Sequence, residues 1–235
     1  MIPQTNFYLP TTDVADFNTK SLLGAHRLKD GTISFALFHP RAGRVYLASN
    51  INDFKTPGYC EACEVEEEKF IELDLYQGYY DQPNIWWTQV DPNDFEVEIE
   101  EIEYKFYVQG GTGGVERWIY DPYTRVYSKD YRRLNCQVVD PTSFSWQDQN
   151  WVTPKMSDLI IYELNVYGFT DGDSDIPLKK QSTFQGIISR IKSGYFQDLG
   201  INTLALMPTS ESWSSFGLGY DPCSFMSVEQ DFGSP

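Results

Sequence analysis

"TFQGIISRIKSGYFQDLGINTLALMP", residues 183–208, decides the second half of the fold. Phe184, Ile187, Ile188, Ile191, Tyr195 and Leu199 recur at the three- and four-residue intervals of one helix face. Thr183 or Ser182 supplies an N-cap hydroxyl, and Gly200 a C-terminal stop. "INTLALMP", 201–208, then reads as a buried strand. Upstream, "DLIIYELNVYGF", 158–169, is a nearly continuous apolar run, as expected for a strand covered on both faces. "TDGDSDIPLKKQS", 170–182, links it to the helix. Strand, helix and strand make a βαβ unit, which predicts parallel strands and a right-handed crossover. One such unit cannot cover both faces of its own strands, so Ile160, Ile161, Leu204 and Leu206 require more sheet and more helices. Ser157 to Pro235 is 79 residues, against about 250 for a closed β/α barrel. The expectation is an incomplete barrel segment.

Ahead of it the pattern has a period of two. "TISFALFH" (32–39) sets Ile33, Phe35 and Leu37 on one face, and "RVYLAS" (44–49) turns Val45 and Leu47 inward. "KFIELDL" (69–75) alternates Ile71, Leu73 and Leu75 with acids, and "FEVEIEEI" (95–102) continues the alternation. "YKFYV" (104–108) groups Tyr104, Phe106 and Val108, and "RWIY" and "NCQVV" follow. Short strands between Gly and Pro turns, with no helical pattern, predict a mainly β, immunoglobulin-like antiparallel sandwich before the βαβ segment. The organisation expected is an extension (1–21), a sandwich (22–141), a linker (142–156) and the truncated barrel start (157–235). Trp146 and Trp151 in the linker are expected to pack against neighbouring surface.

The formal charge is −16, from 34 acids against 18 bases. That excludes a phosphate-binding surface, so neither nucleic acid nor an anionic membrane is expected as a partner. Glu66-Glu67-Glu68 lacks the spacing of a calcium loop and reads as a solvated face. No stretch reaches membrane-span length, and "MIPQTNFYLPTTD" has no leader pattern. Cys60 and Cys63 form a lone pair, and Cys136 and Cys223 stand apart. Reduced, unliganded thiols in a cytoplasmic protein are therefore expected, with no metal and no cofactor. His26 and His39 read as ordinary strand-edge residues. Aromatics make up 16% of the chain; their faces serve either core packing or the stacking of sugar rings.

Three blocks of the second region resemble the α-amylase superfamily, glycoside hydrolase family thirteen. "DLIIYELNVYGFT" resembles its first barrel strand, and "TFQGIISRIKSGYFQDLGINTLALMP" its first helix and second strand. "GYDPCSFMSVEQDFGSP" (219–235) is similar to the segment where a Gly-Tyr pair enters the cleft. "LGAHRLKDGTISFALFHPRAGRVYLASNINDF" (23–54), with "YKFYV" and "WIYDPYTR", resembles the isoamylase-type sandwich of branching and debranching enzymes. The same module type binds glycogen in the β subunit of the AMP-activated kinase.

The resemblance implies a glucan surface made by Lys105, Trp118 and Asn135, with Phe54 where a second tryptophan is usual. Ring faces would take the apolar side of glucose, and Lys and Asn its hydroxyls. Plain packing of these residues is the alternative. Tyr220 matches the tyrosine that floors a sugar subsite, although Leu218 replaces the usual tryptophan before Gly219, and Asn165 stands where histidine is frequent. The family's retaining chemistry needs two carboxylates about 5–5.5 Å apart, drawn from later strands than this segment reaches. Glu163 in the first strand segment, Asp171 in the acidic loop and Glu211 after the second strand are not paired by any pattern. No catalytic residue is therefore assigned. Two functions follow as expectations. One is the N-terminal part of an α-glucan hydrolase or branching transferase, inactive alone; the other is a stand-alone glucan-binding module with a vestigial barrel segment. In either case the open barrel strands are expected to self-associate or to be poorly ordered unless another chain covers them.

Overall fold

The computed structural model describes residues 23–28, 30–57, 70–76, 85–95, 97–111, 116–128, 135–140, 144–213 and 218–234. The N-terminal extension, Cys60, Cys63 and the Glu66–Glu68 run lie outside these residues. The chain forms two compact units, residues 1–140 and 141–235.

The first unit is the expected sandwich. Strands β1 (Gly24–Arg27), β2 (Ile33–Phe38), β5 (Asp74–Tyr76) and β6 (Ile85–Val90) form one antiparallel sheet in the order β1-β2-β6-β5. The second sheet runs β4 (Ile71–Glu72), β3 (Arg44–Ser49), β7 (Glu103–Gln109), β8 (Arg117–Ile119), with β9 (Cys136–Gln137) also on β7. The alternation read from sequence is the reason the sheets face each other. Ile33, Phe35 and Leu37 meet Val45, Leu47, Tyr104, Phe106 and Val108 in one buried core. Phe35 and Tyr104 join the sheets edge to face, with ring centroids 5.0 Å apart.

Two strand expectations are corrected. "KFIELDL" is not one strand: β4 pairs with β3 and β5 with β6, so the chain changes sheets at Leu73. Leu73 stays in the core, its N–H donating to the Val45 carbonyl, whereas Leu75 emerges on the outer side, 42% exposed. "FEVEIEEI" keeps its period of two without a ladder. Phe95, Val97 and Ile99 reach the core from irregular backbone. Local bonds from Glu101 to Glu98 and from Ile102 to Ile99 close a 3₁₀ turn over Ile99–Glu101.

The second unit contains the expected βαβ. β10 (Ile161–Leu164) and β11 (Thr203–Leu206) pair in parallel, Ile161 opposite Thr203 and Leu164 opposite Leu206. The helical stretch divides into α2 (Phe184–Lys192) and α3 (Tyr195–Asp198), because Gly194 takes a φ of 85° between them. Thr183 is the N-cap of α2, its Oγ1 accepting from the Gln185 N–H. The apolar run 158–169 does not continue as a strand. Asn165 accepts from the Gly168 N–H and starts α1 (Val166–Phe169). Leu164, Val166, Ile187, Phe196 and Phe232 form the core of this unit. Ile160, Ile161 and Leu206 are 53%, 58% and 42% exposed, so within its unit this strand pair is covered on one side only. Trp146 and Trp151 are exposed as well, which corrects their expected packing; Trp146 meets Phe144 edge to face.

Candidate functional site

Alternation along β7 separates two sets of side chains. Tyr104, Phe106 and Val108 enter the core, so Lys105 and Tyr107 stand on the opposite face. The register places Ala48 of β3 across from Lys105 and Trp118 of β8 across from Tyr107. Ala48 presents only a methyl group, which leaves room for the lysine to lie across the sheet. Its Nζ is 4.6 Å from the Trp118 ring centroid and 5.6 Å from that of Phe54. Both are cation–π distances, each worth about 0.5–2 kcal/mol depending on exposure.

Trp118 is 37% exposed and rests on Tyr107, with centroids 5.1 Å apart. The Tyr107 hydroxyl donates to Glu116 Oε2 at 2.7 Å, and Gln109 Nε2 donates to Oε1 at 3.0 Å. The two bonds, Gln109's first, hold the Glu116 carboxyl below its usual range. Burial and the Glu116 carboxylate push Tyr107 up to about 12, so it remains a donor at any working pH.

Phe54 is placed by a turn. Asn52, buried, accepts from the Ser49 N–H at 2.9 Å and donates to the carbonyls of Leu47 at 3.1 Å and Lys55 at 3.3 Å. Asp53 and Phe54 each have a φ of 55°, unusual for residues carrying a side chain. Such strain costs about 1–3 kcal/mol per residue and persists only where neighbours impose it. Here Phe54 N–H donates to Ser49 O at 2.7 Å and Lys55 N–H to Asn52 O at 3.0 Å.

Asn135 comes level with Lys105 by register, since β9 pairs Cys136 with Tyr104. Its Nδ2 donates to Glu103 Oε2 at 2.7 Å. Its Oδ1 is buried and has no hydrogen-bond partner among the described residues. The structure thus brings Phe54, Lys105 and Trp118 together on one surface. It sets Asn135 beside them, turned onto Glu103 and only 2% exposed. Tyr107, Glu116, Asn52 and Glu103 escape the sequence reading. Tyr107 was within reach, because it shares the parity of Lys105; Glu116 needs the hairpin register, which composition does not reveal.

In the second unit Tyr220 is displayed, 68% exposed. Gly219 before it has a φ of 79°, and a Cβ there would lie 2.5 Å from the Pro208 carbonyl oxygen. Only glycine permits this approach of the loop to the chain leaving β11. The three carboxylates weighed from sequence have separate surroundings. Glu163 on β10 is exposed, contrary to a position inside a buried strand. Asp171 is exposed in its loop, and Glu211 is buried against Gln230. No group of three or more potential metal ligands occurs among the described residues.

Fold and surface together define a two-unit architecture: an antiparallel sandwich bearing a lysine between two aromatic rings, followed by a parallel βαβ unit with a displayed tyrosine. No family model matches the sequence. Individual proteins do. The malto-oligosyltrehalose trehalohydrolase of Saccharolobus solfataricus is 30% identical over 99 residues, 42% of this chain and 16% of that protein. The 1,4-alpha-glucan branching enzyme GlgB of Aliivibrio fischeri is 29% identical over 138 residues, 57% of this chain and 18% of that one. Among solved structures, the Group B Streptococcus pullulanase SAP in complex with maltotetraose superposes with a TM-score of 0.66 at 18% identity. That match covers 91% of this chain and 29% of the pullulanase chain, and at this identity it speaks for the fold. The chain therefore spans under a fifth of the length of the two curated relatives. In sequence the chain is thus similar to a trehalohydrolase and a glucan branching enzyme, and in fold to a pullulanase, over part of the length of each.

Proposed function

We propose that the chain is the N-terminal part of an enzyme acting on α-glucans, and that its sandwich engages the glucan through Phe54, Lys105 and Trp118. The observation carrying this reading is the Lys105 ammonium lying between the two aromatic rings on an outward sheet face. Rings of this kind take the apolar face of a glucose unit, while the ammonium donates to its hydroxyls. A hydrophobic core has no use for a cation in that place. Asn135 joins in this reading once its Nδ2 leaves Glu103, which adds a donor to the acceptor that Oδ1 already offers. Tyr220 is the corresponding stacking surface of the barrel segment. The relatives named as glucan branching and trehalohydrolase enzymes, and the pullulanase bound to maltotetraose, support an α-glucan as the ligand. The free thiols of Cys136 and Cys223 suit a reducing compartment.

Hydrolysis or branching belongs in this reading to the complete enzyme; none of Glu163, Asp171 and Glu211 is given a catalytic role. The test is retention on immobilised amylose of the 235-residue chain and of Trp118→Ala. Retention lost in the variant supports the reading; equal retention of the two, or none by either, rejects it. A second reading rests on exposed Ile160, Ile161 and Leu206: the chain by itself associates through these strands. Light scattering showing a strict monomer across a concentration series rejects that part.

A further inference from the structure

Glu211 and Glu229 are 4% and 3% exposed, on two segments joined by the antiparallel bridge between Ser210 and Val228. Backbone bonds flank the bridge: Glu211 N–H donates to Ser227 O at 3.1 Å, and Glu229 N–H to Thr209 O at 2.8 Å. The carboxylates are exchanged across it. Glu211 accepts from the Gln230 N–H at 2.9 Å and from Gln230 Nε2 at 3.1 Å. Glu229 accepts from the Ser212 N–H at 3.1 Å, from Ser212 Oγ at 3.0 Å and from the Asp231 N–H at 3.4 Å. Each acid thus ties down the residue that follows the other. Between the two ties lies the stretch carrying Trp213 and Tyr220.

The charged groups that act on Glu211 are Glu229 and Asp231, both acidic. Cys223, whose Sγ donates to the Glu211 carbonyl, has its thiol raised by burial first and then by Glu211, Glu229 and Asp221. Burial first, with the nearby charges of Glu229 and Asp231, makes ionisation of Glu211 costly. We propose that Glu211 and Glu229 form a proton-operated clasp, shut while Glu211 holds a proton and loosened when that proton leaves. Burial is the main cause that lifts Glu211 to about 7; hydrogen bonds from Gln230 oppose the rise, and the charges of Glu229 and Asp231 add to it. The Gln230 amide serves either state, since a half-turn exchanges its donor for an acceptor.

The sign follows from the raised value. Between the ordinary value of 4.5 and about 7 the folded clasp holds a proton that the open chain releases. Its stability is therefore full at acid pH and is lost as pH rises through about 7. This goes beyond glucan binding and is independent of it.

Hydrogen exchange of the intact chain at pH 5 to 8, corrected for intrinsic rates, reads the amides of Ser212, Glu229 and Gln230. Their protection should fall by about tenfold or more between pH 6 and 8. Glu211→Gln should show no such fall, and Glu229→Gln should move it to lower pH. A flat wild-type profile, or an unchanged fall in Glu211→Gln, overturns the proposal. Should Glu211→Gln fail to fold, carbon-13 titration of the wild-type Glu211 carboxyl decides. A midpoint near 7 supports the clasp, and one near 4.5 overturns it.

Discussion

The two units solve the same burial problem to different degrees. In the sandwich two sheets face each other, so Ile33, Phe35, Val45, Leu47 and Phe106 reach zero exposure. In the barrel segment two parallel strands share α2 and α3 on one side, and Ile160 and Ile161 remain more than half exposed. The amino acids are of the same apolar kind in both. What differs is whether the element that covers them is within the same unit. A sheet becomes a core only when something opposes it.

That contrast can be broken by mutation. Phe106→Ala should destabilise the sandwich by about 3–5 kcal/mol. Ile161→Ala should change stability by no more than about 0.5 kcal/mol, as at a surface site. Urea unfolding of both variants checks the pair; comparable losses would show that the β10 face is covered in solution.

The next effect is pH-dependent and confined to the sandwich. Asp121 is fully buried, accepts from the Tyr104 hydroxyl at 2.5 Å and is pushed up to about 6, chiefly by burial. A raised carboxyl contributes stability that is full below its unfolded value of 3.8 and is lost as pH rises through about 6. A rise from 3.8 to about 6 corresponds to at most about 3 kcal/mol. Wild-type stability should therefore fall between pH 4 and 7 relative to Asp121→Asn. Parallel curves for the two proteins would contradict this.

Smaller is the effect of Asn52→Ala, which leaves the Ser49 N–H and the carbonyls of Leu47 and Lys55 without their side-chain partner. The expected loss is about 1–3 kcal/mol, with glucan affinity falling further than stability because Phe54 loses its turn. The smallest is a gain: Phe54→Trp should raise affinity a few-fold through its larger face, about 0.5–1 kcal/mol. Calorimetric titration with a maltooligosaccharide measures both.

Much of this fold is legible in the chain itself. The period of two in "ISFALF" and "YKFYV" names the core residues of the sandwich, and the helical spacing after Thr183 names the helix and its cap. Where reading by period goes astray, local hydrogen bonding or a glycine intervenes. Asn165 ends a strand by capping Gly168, Gly194 divides a helix, and Leu73 carries the chain between sheets without any change in apolar pattern. The surface residues were legible only through the family resemblance; their shared face comes from the β7–β8 register and the turn at Phe54. The shielding of Asn135 was not legible, since it depends on a bond to Glu103 across strands 32 residues apart.

The central claim is that the Phe54–Lys105–Trp118 surface binds α-glucan. Its most direct test is calorimetric titration of the folded chain and of Trp118→Ala with maltoheptaose, the fold of each verified by circular dichroism. Saturable binding by the wild type, weakened tenfold or more by loss of the indole, about 1.4 kcal/mol or more, is the expected result. Equal affinities, or no binding by a folded wild type, would contradict it.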